Sequence, residues 1–113
     1  MAIKNLDLDT TATYVFDSVT GAPSNTAITT IIVCNNSATV TAMFDLHFVE
    51  QGVPYDNDKT RVINNLELEP KETFSFDSER VVLSPGDNIY FMADVVNPGD
   101  TPNLSATISY LEV

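Results

Sequence analysis

The sequence predicts an all-β protein, a single antiparallel β-sandwich of about eight strands that is either immunoglobulin-like or jelly-roll-like. Apolar and polar residues alternate with a period of two through most of the 113 residues. This is the spacing of a strand with one buried face. Turn residues interrupt the alternation about every dozen residues, and no segment shows the apolar spacing of an amphipathic helix. One domain, residues 1–113, is the natural division for a chain of this length.

The clearest succession of strands runs from residue 61 to residue 95. Leu66 and Leu68 share one side of a strand that Pro70 ends, and Phe74 and Phe76 then resume the alternation. The sequence Ser-Pro-Gly-Asp at 84–87 predicts a reversal, because proline fits the second turn position and glycine the third. The strand after this turn has its apolar residues on one side, namely Ile89, Phe91, Ala93 and Val95.

The N-terminal half supplies the remaining early strands. Residues 2–9 alternate weakly and predict either a short strand or, over residues 1–10, an arm that lies on another subunit. Residues 11–16 are strand-like through their β-branched and aromatic content. Residues 27–34 are apolar on both sides by the end of the run, which predicts a central strand that needs cover on both faces.

Two further strands show the cleanest alternation. Residues 40–49 place Phe44 and four other apolar side chains on one face, and an Asn/Ser turn precedes them. Residues 104–113 alternate in the same way and close the chain. The connection 50–60 is the longest polar segment.

Composition excludes several classes of function. The 16 acidic and 5 basic residues give a formal net charge of −11, which disfavours binding to nucleic acids and to anionic membrane surfaces. Cys34 is the single cysteine and is interpreted as a small buried hydrophobe. The sequence contains neither a secretion signal nor an apolar run of membrane-spanning length, so we expect folding in a reducing cytoplasm.

Asp45 and His47 share the polar side of one strand and are the residues with the strongest resemblance to a catalytic pair. A hydrolytic triad also requires an activated nucleophile, and the chain contains no Gly-x-Ser-x-Gly elbow. We therefore expect a surface pair on a strand, no catalytic residue and no enzyme activity.

An acidic segment, residues 56–67, partly matches the template of a calcium-binding loop. The matching residues are Asp56, Asp58, Thr60, Asn64 and Glu67. Arg61 occupies the position that requires glycine, so a solvated loop without metal is the preferred interpretation and calcium the alternative.

Four tyrosines leave a carbohydrate-binding platform as a further alternative, although core or rim positions are favoured. They are Tyr14, Tyr55, Tyr90 and Tyr110. No cofactor is expected.

A group of apolar residues lies on the side of each strand that should be polar. Its members are Ile32, Met43, Val49, Tyr90, Met92 and Leu111, together with Cys34 and Val113. Because they fall on strands that the pattern makes neighbours, they predict one contiguous patch. Patches of this kind are usually interfaces, so we expect contact with copies of the same chain or with a larger assembly.

Several segments of the chain resemble a family of small virion proteins of tailed bacteriophages, especially marine phages. The resemblance covers roughly residues 10–113 and rests on the order and spacing of four motifs. These are Ile31-Ile32-Val33-Cys34-Asn35, Leu66-x-Leu68-x-Pro70-x-Glu72-Thr73-Phe74-x-Phe76, Val82-Leu83-x-Pro85-Gly86-Asp87-x-Ile89 and Ile108-Ser109-Tyr110-Leu111-Glu112-Val113.

The resemblance implies a β-sandwich without catalytic residues that is assembled into a virion in the host cytoplasm. Capsid decoration or cement is the role it favours, since the additional collar or receptor-binding domain of larger members is missing from this sequence. A component of the neck, the tail or the fibre base is the alternative. The expected partners are the major capsid protein or other virion proteins.

Overall fold

Eight strands, and no helix, occupy the part of the chain that the computed structural model describes. This part comprises residues 2–11, 13–54 and 59–113, except for the side chains of residues 77–80. The strands are β1 (Ala2–Leu8), β2 (Thr13–Tyr14), β3 (Thr26–Asn35), β4 (Ala42–Val49), β5 (Arg61–Leu68), β6 (Thr73–Leu83), β7 (Asn88–Val95) and β8 (Leu104–Glu112). The predicted all-β class is confirmed.

The strands form two four-stranded antiparallel sheets. The first sheet has the order β1-β8-β3-β6, and the second sheet has the order β2-β7-β4-β5. The pairs β1 with β8, β2 with β7, β3 with β6, and β4 with β5 are those of one long hairpin that has been rolled into two layers. This topology is the jelly roll. The immunoglobulin-like alternative is wrong, because that fold pairs its first strand with its second within one sheet.

Residues 2–8 form the edge strand of the first sheet of their own chain. They pair with β8 over their whole length, from Ala2 opposite Tyr110 to Leu8 opposite Leu104. Of the two predicted alternatives for this segment, the structure of the single chain contains the short strand.

The core lies between the sheets and is built from the residues whose alternation predicted burial. It includes Ile31 and Val33 of the first sheet and Phe44, Leu46 and Phe91 of the second. The Phe44 ring bridges the layers, since its centroid lies 5.9 Å from that of Phe74 in the first sheet and 6.4 Å from that of Phe91. The inward assignment of Phe44, which is 1% exposed, is therefore confirmed.

A buried asparagine ties the two sheets together at one end. The side-chain nitrogen of Asn35, the last residue of β3, donates to the carbonyl oxygens of Val40 and Leu68, both at 2.9 Å. Its side-chain oxygen accepts from the backbone N–H of Ser37 at 3.0 Å. Three backbone groups that the turn and the strand ends leave unpaired are thereby satisfied by one residue.

A second buried asparagine, Asn88, bonds to backbone groups at the opposite end. Its side-chain oxygen accepts from the backbone N–H of Phe16 at 3.0 Å, and its side-chain nitrogen donates to the carbonyls of Phe16 and Asp17, both at 3.1 Å. The segment after β2 is thus fixed to the start of β7.

Two loops meet backbone to backbone beside Asn88. The N–H of Gly86 donates to the carbonyl of Ala22 at 2.9 Å, and the N–H of Ala22 donates to the carbonyl of Asp87 at 2.8 Å. Gly21 has a φ of 66°, and a Cβ atom on it would lie 2.2 Å from the carbonyl oxygen of Gly86. Only glycine fits this crossing of the β2–β3 loop and the β6–β7 turn.

Substitution of Phe44 by alanine should lower the free energy of unfolding by about 3–5 kcal/mol, because it leaves a cavity between the two sheets. For a domain of this size the melting temperature should fall by at least about 12 °C. Thermal unfolding measured by circular dichroism checks this. Val62→Ala is the matched control, since Val62 is 47% exposed on an edge strand and should change the stability by about 0.5 kcal/mol or less. An equal effect of both substitutions would contradict the inward packing of Phe44.

Candidate interaction surfaces

Aromatic side chains cover one end of the second sheet's outer face. Tyr90 is 0% exposed, although it points away from the core. The Tyr14 ring meets it edge-on at 5.1 Å between centroids, and the His47 ring meets it edge-on at 5.0 Å. Thr60 is buried beside His47, and its hydroxyl lies 2.8 Å from His47 Nδ1. These four residues form a small second core outside the sandwich.

The prediction that Asp45 and His47 form a surface pair is wrong for His47, which is buried, whereas Asp45 is half-buried. His47 is 1% exposed, because the aromatic cluster and Thr60 cover it. Asp45 is engaged elsewhere: one carboxylate oxygen accepts from the backbone N–H of Asn65 at 2.6 Å, and the other lies 3.4 Å from the Arg61 guanidinium. Asn65 has a φ of 47°, so the carboxylate holds a bulge of β5 in place. Both side chains therefore have structural partners.

Burial lowers the pKa of His47 below its ordinary value of 6.5. The carboxylate of Asp45 opposes this shift, and the guanidinium of Arg61 adds to it. The neutral ring is therefore the favoured form in the folded chain.

The other half of the same outer face carries two methionines among carboxylates. Met43 lies opposite Asp94 on β7 and Glu67 on β5, and Met92 lies opposite Asp45. Both methionine side chains are half-buried. We call these five residues the methionine strip. Its apolar centre and acidic rim are continued by a recess that Glu67, Glu69 and Glu72 line together with Thr41.

Among its described side chains, the outer face of the first sheet carries little charge; outside that set, Asp77 of β6 pairs in register with Thr30 of β3. The small polar residues of this face are Asn5, Ser105, Thr107, Ser109, Thr73 and Ser75, and its apolar residues are Ile3, Ile32, Cys34 and Leu111. Asp7, at one corner, is the single charged group among the side chains that the structure describes on this face. We call this surface the neutral face.

The single patch predicted from the sequence is divided between these two surfaces. Ile32 and Leu111 lie on the neutral face, whereas Met43 and Met92 lie on the opposite side of the sandwich. Val49 and Tyr90 are buried within the chain, so their predicted exposure is wrong. Contact of Ile32, Leu111, Met43 and Met92 with a partner stays a prediction.

The polar members of the neutral face were not predicted from the sequence. A signal was present, since Ser105, Thr107 and Ser109 occupy the polar side of β8 without a single charge. In a chain with a net charge of −11, an uncharged strand face of this length is unusual.

The backbone geometry of residues 61–68 does not match the template of a calcium-binding loop. Positions 61–68 form the extended strand β5, whose side chains alternate between two sides, and an extended strand cannot wrap around an ion. The hydroxyl of Thr60 is bonded to His47, while Asp56 and Asp58 lie outside the described residues. Among the described residues, no group of three or more histidines, cysteines or acidic residues is arranged to hold a metal ion.

The tyrosines are also dispersed. Tyr14 and Tyr90 pack against each other on the second sheet. Tyr110 packs edge-on against Phe16 at 5.4 Å, and Tyr55 lies outside the described residues. The tyrosines that the structure describes therefore form no shared flat platform for a sugar ring.

Stability should decrease as the pH falls below about 6.5, because the unfolded chain binds a proton at His47 before the folded chain does. Above this pH the ring is neutral in both states and contributes no pH dependence. Urea unfolding at pH values of about 7.5, 6.5 and 5.5 measures the effect. Asp9 and Asp17 do not interfere, because hydrogen bonds from Thr11 and from Val19, respectively, keep their pKa values below 3.8. The variant His47→Gln should show a flat profile over this range, and an unchanged slope in it would assign the dependence to another group.

Comparison with known proteins gives a likeness of fold alone. No family model and no curated protein matches the chain. A solved structure of the infectious bursal disease virus Gx strain matches with a TM-score of 0.49 and 9% identity, over 97% of this chain and 30% of the viral chain. The crystal structure of the T13 viral particle of the same virus matches with a TM-score of 0.52 and 10% identity, over 96% of this chain and 28% of that chain. In the described residues, no helix has the length and apolar character needed to span a membrane. The chain thus has a jelly-roll fold similar to that of a segment, less than a third in length, of a protein in an icosahedral viral particle.

Proposed function

We propose that the chain is a non-enzymatic structural protein of a virion, and more specifically a decoration or cement protein on the capsid of a tailed bacteriophage. In this role it binds the outer surface of the assembled shell and stabilises it. Its partners are the major capsid protein and neighbouring copies of itself.

The fold supports a virion role. The likeness to the T13 particle structure extends over 96% of the chain, so the described domain as a whole has a fold similar to that of a segment of a protein in a viral particle. Because one fold hosts many functions, the likeness alone does not assign a role. The surface of this chain therefore has to supply the evidence for docking.

The methionine strip is the observation that carries the proposal. Met43 and Met92 lie diagonally across β4 and β7 and remain half-buried, with no strand of the described residues above them. Methionine side chains adapt their shape to an apolar partner surface. The exposed carboxylates of Glu67 and Asp94 favour a partner with basic groups around that apolar surface.

The resemblance of sequence supports the phage assignment. Its motifs have defined places in the structure: Pro85-Gly86-Asp87 forms the turn between β6 and β7, and Ile108 to Glu112 completes β8. Gly86 adopts a φ of 94° in this turn, as the motif requires. The shared motifs are thus ones that specify the fold.

The first experiment measures copy number. Quantitative mass spectrometry of purified particles of the phage that encodes the chain should detect hundreds of copies, in a fixed ratio to the major capsid protein. A dozen copies or fewer would move the protein to the neck or the fibre base. Absence from the particles would refute the proposal altogether.

The second experiment tests the docking surface. Recombinant protein should bind shells that lack it, and the double variant Met43→Ser, Met92→Ser should bind at least about tenfold more weakly, because each methionine contributes about 1.5–3 kcal/mol when fully buried. The substitutions leave the net charge unchanged. Val19→Ser, in the exposed β2–β3 loop, is the control and should bind like the wild type.

Salt provides a further readout of the docking surface. Binding through the acidic rim should weaken as the salt concentration rises, since screening reduces its attraction to basic groups. Equal binding by the wild type and the methionine variant would exclude the strip as the docking surface.

A further inference from the structure

We infer that the neutral face is a self-association surface, through which two copies of this chain dock face to face about a two-fold axis. This contact is separate from the methionine strip, which lies on the opposite side of the sandwich. The inference therefore does not depend on the proposed docking to a shell.

Charge identifies a second copy as the occupant. Each copy has a formal net charge of −11, so two copies repel each other wherever their acidic side chains meet. The second sheet's outer face presents the exposed carboxylates of Glu67 and Asp94, which makes it a poor surface for self-contact. The neutral face presents one carboxylate at its corner among the described side chains, and its centre around Ile32 and Thr107 has none.

The side chains of the neutral face suit a dry contact between sheets. Ile32, at the centre of β3, is 37% exposed and lies between Ser75 on β6 and Thr107 on β8. Thr107 donates its hydroxyl hydrogen to Asn5 Oδ1 at 3.1 Å, so part of the polar surface is satisfied within the chain. Small side chains with internal hydrogen bonds let two sheets approach to about 10 Å at a low desolvation cost.

The exposed edges of the first sheet are protected against the competing mode of association, in which strands pair edge to edge. On β1, Lys4 lies on the inward side with its ammonium 5.5 Å from the centre of the Phe16 ring. An inward-pointing charge on an edge strand opposes the docking of another strand. On β6, the pairing with β3 skips residues 78–80, and such an irregularity has the same effect. Face-to-face docking avoids both obstacles.

The area of the face predicts a weak dimer. Four strands about 4.8 Å apart and roughly seven residues long give a face of about 20 by 23 Å, or about 900 Å² for two copies. This value is at the lower end for specific interfaces, so we expect a Kd of about 1–100 μM.

Sedimentation velocity of the full chain from about 5 to 500 μM tests the inference. The wild type should shift from monomer to dimer within this range. Higher salt should strengthen the association, because it screens the repulsion between two acidic copies while the centre of the contact around Ile32 and Thr107 is uncharged. A monomer at every concentration and salt level, or an association that weakens with salt, would overturn the inference.

Substitutions locate the contact. Ile32→Glu and Ile32→Lys should each raise the Kd at least tenfold, because either charge is buried without a partner in the dimer. Val62→Glu and Val62→Lys are the matched controls on the other sheet and should dimerise like the wild type. If an Ile32 variant fails to fold, as judged by circular dichroism, Ser75→Lys at the exposed edge of the same face replaces it. Unchanged dimerisation in a folded variant would overturn the inference.

The native cysteine gives an independent measurement without any substitution. Cys34 is half-buried on the neutral face, two residues from Ile32 along β3, and is the single cysteine of the chain. Its reaction with a maleimide should slow at least threefold between dilute protein and protein above the Kd. An equal rate at both concentrations would place the contact on another surface.

Discussion

Two buried asparagines satisfy backbone groups that the strands leave unpaired at the two ends of the jelly roll. Asn35 joins the end of β3 in the first sheet to carbonyls that flank β4 and end β5 in the second. Asn88 bonds the segment after β2 to the start of β7 within the second sheet. Because rolled hairpins place each turn across the gap between two layers, the turns leave backbone groups that neither sheet can pair. A side-chain amide has both a donor and an acceptor, and so it satisfies these groups at a site where water has little access.

The closed sandwich presents two outer faces of opposite character. The second sheet carries carboxylates around two methionines, and part of its surface is already filled by Tyr14, His47 and Tyr90. The first sheet carries serine, threonine and a few apolar side chains. Among the described side chains, charge is thus sparse on one face and concentrated elsewhere, and the two contacts that we propose, with a basic partner and with a second copy, use different surfaces.

The sequence was sufficient for the fold class and for most of the core, because alternation with a period of two directly records which side of a strand is buried. Phe44 and Phe91 are examples. It was insufficient for the outer faces. His47 and Tyr90 are buried by Thr60 and by one another, and Thr60 comes from a polar connection with no periodic pattern. The pattern also does not specify which strands share a sheet. Ile32 and Met43 therefore seemed to be neighbours, although they lie on opposite sides of the sandwich.

The crossing of Gly21 and Gly86 has a consequence for how this domain tolerates added sequence. At that end the two loops touch through their backbones, so neither can be lengthened or given a larger residue there without moving the other. The tip of the β7–β8 loop has no such constraint, since a Cβ atom on Gly99 would meet no atom within 4 Å, although the flanks of this loop bond to Thr41 and Asn36 through their backbones. Insertions acquired during evolution, or peptides grafted for display, fit in that loop, where they leave the closed end of the jelly roll undisturbed.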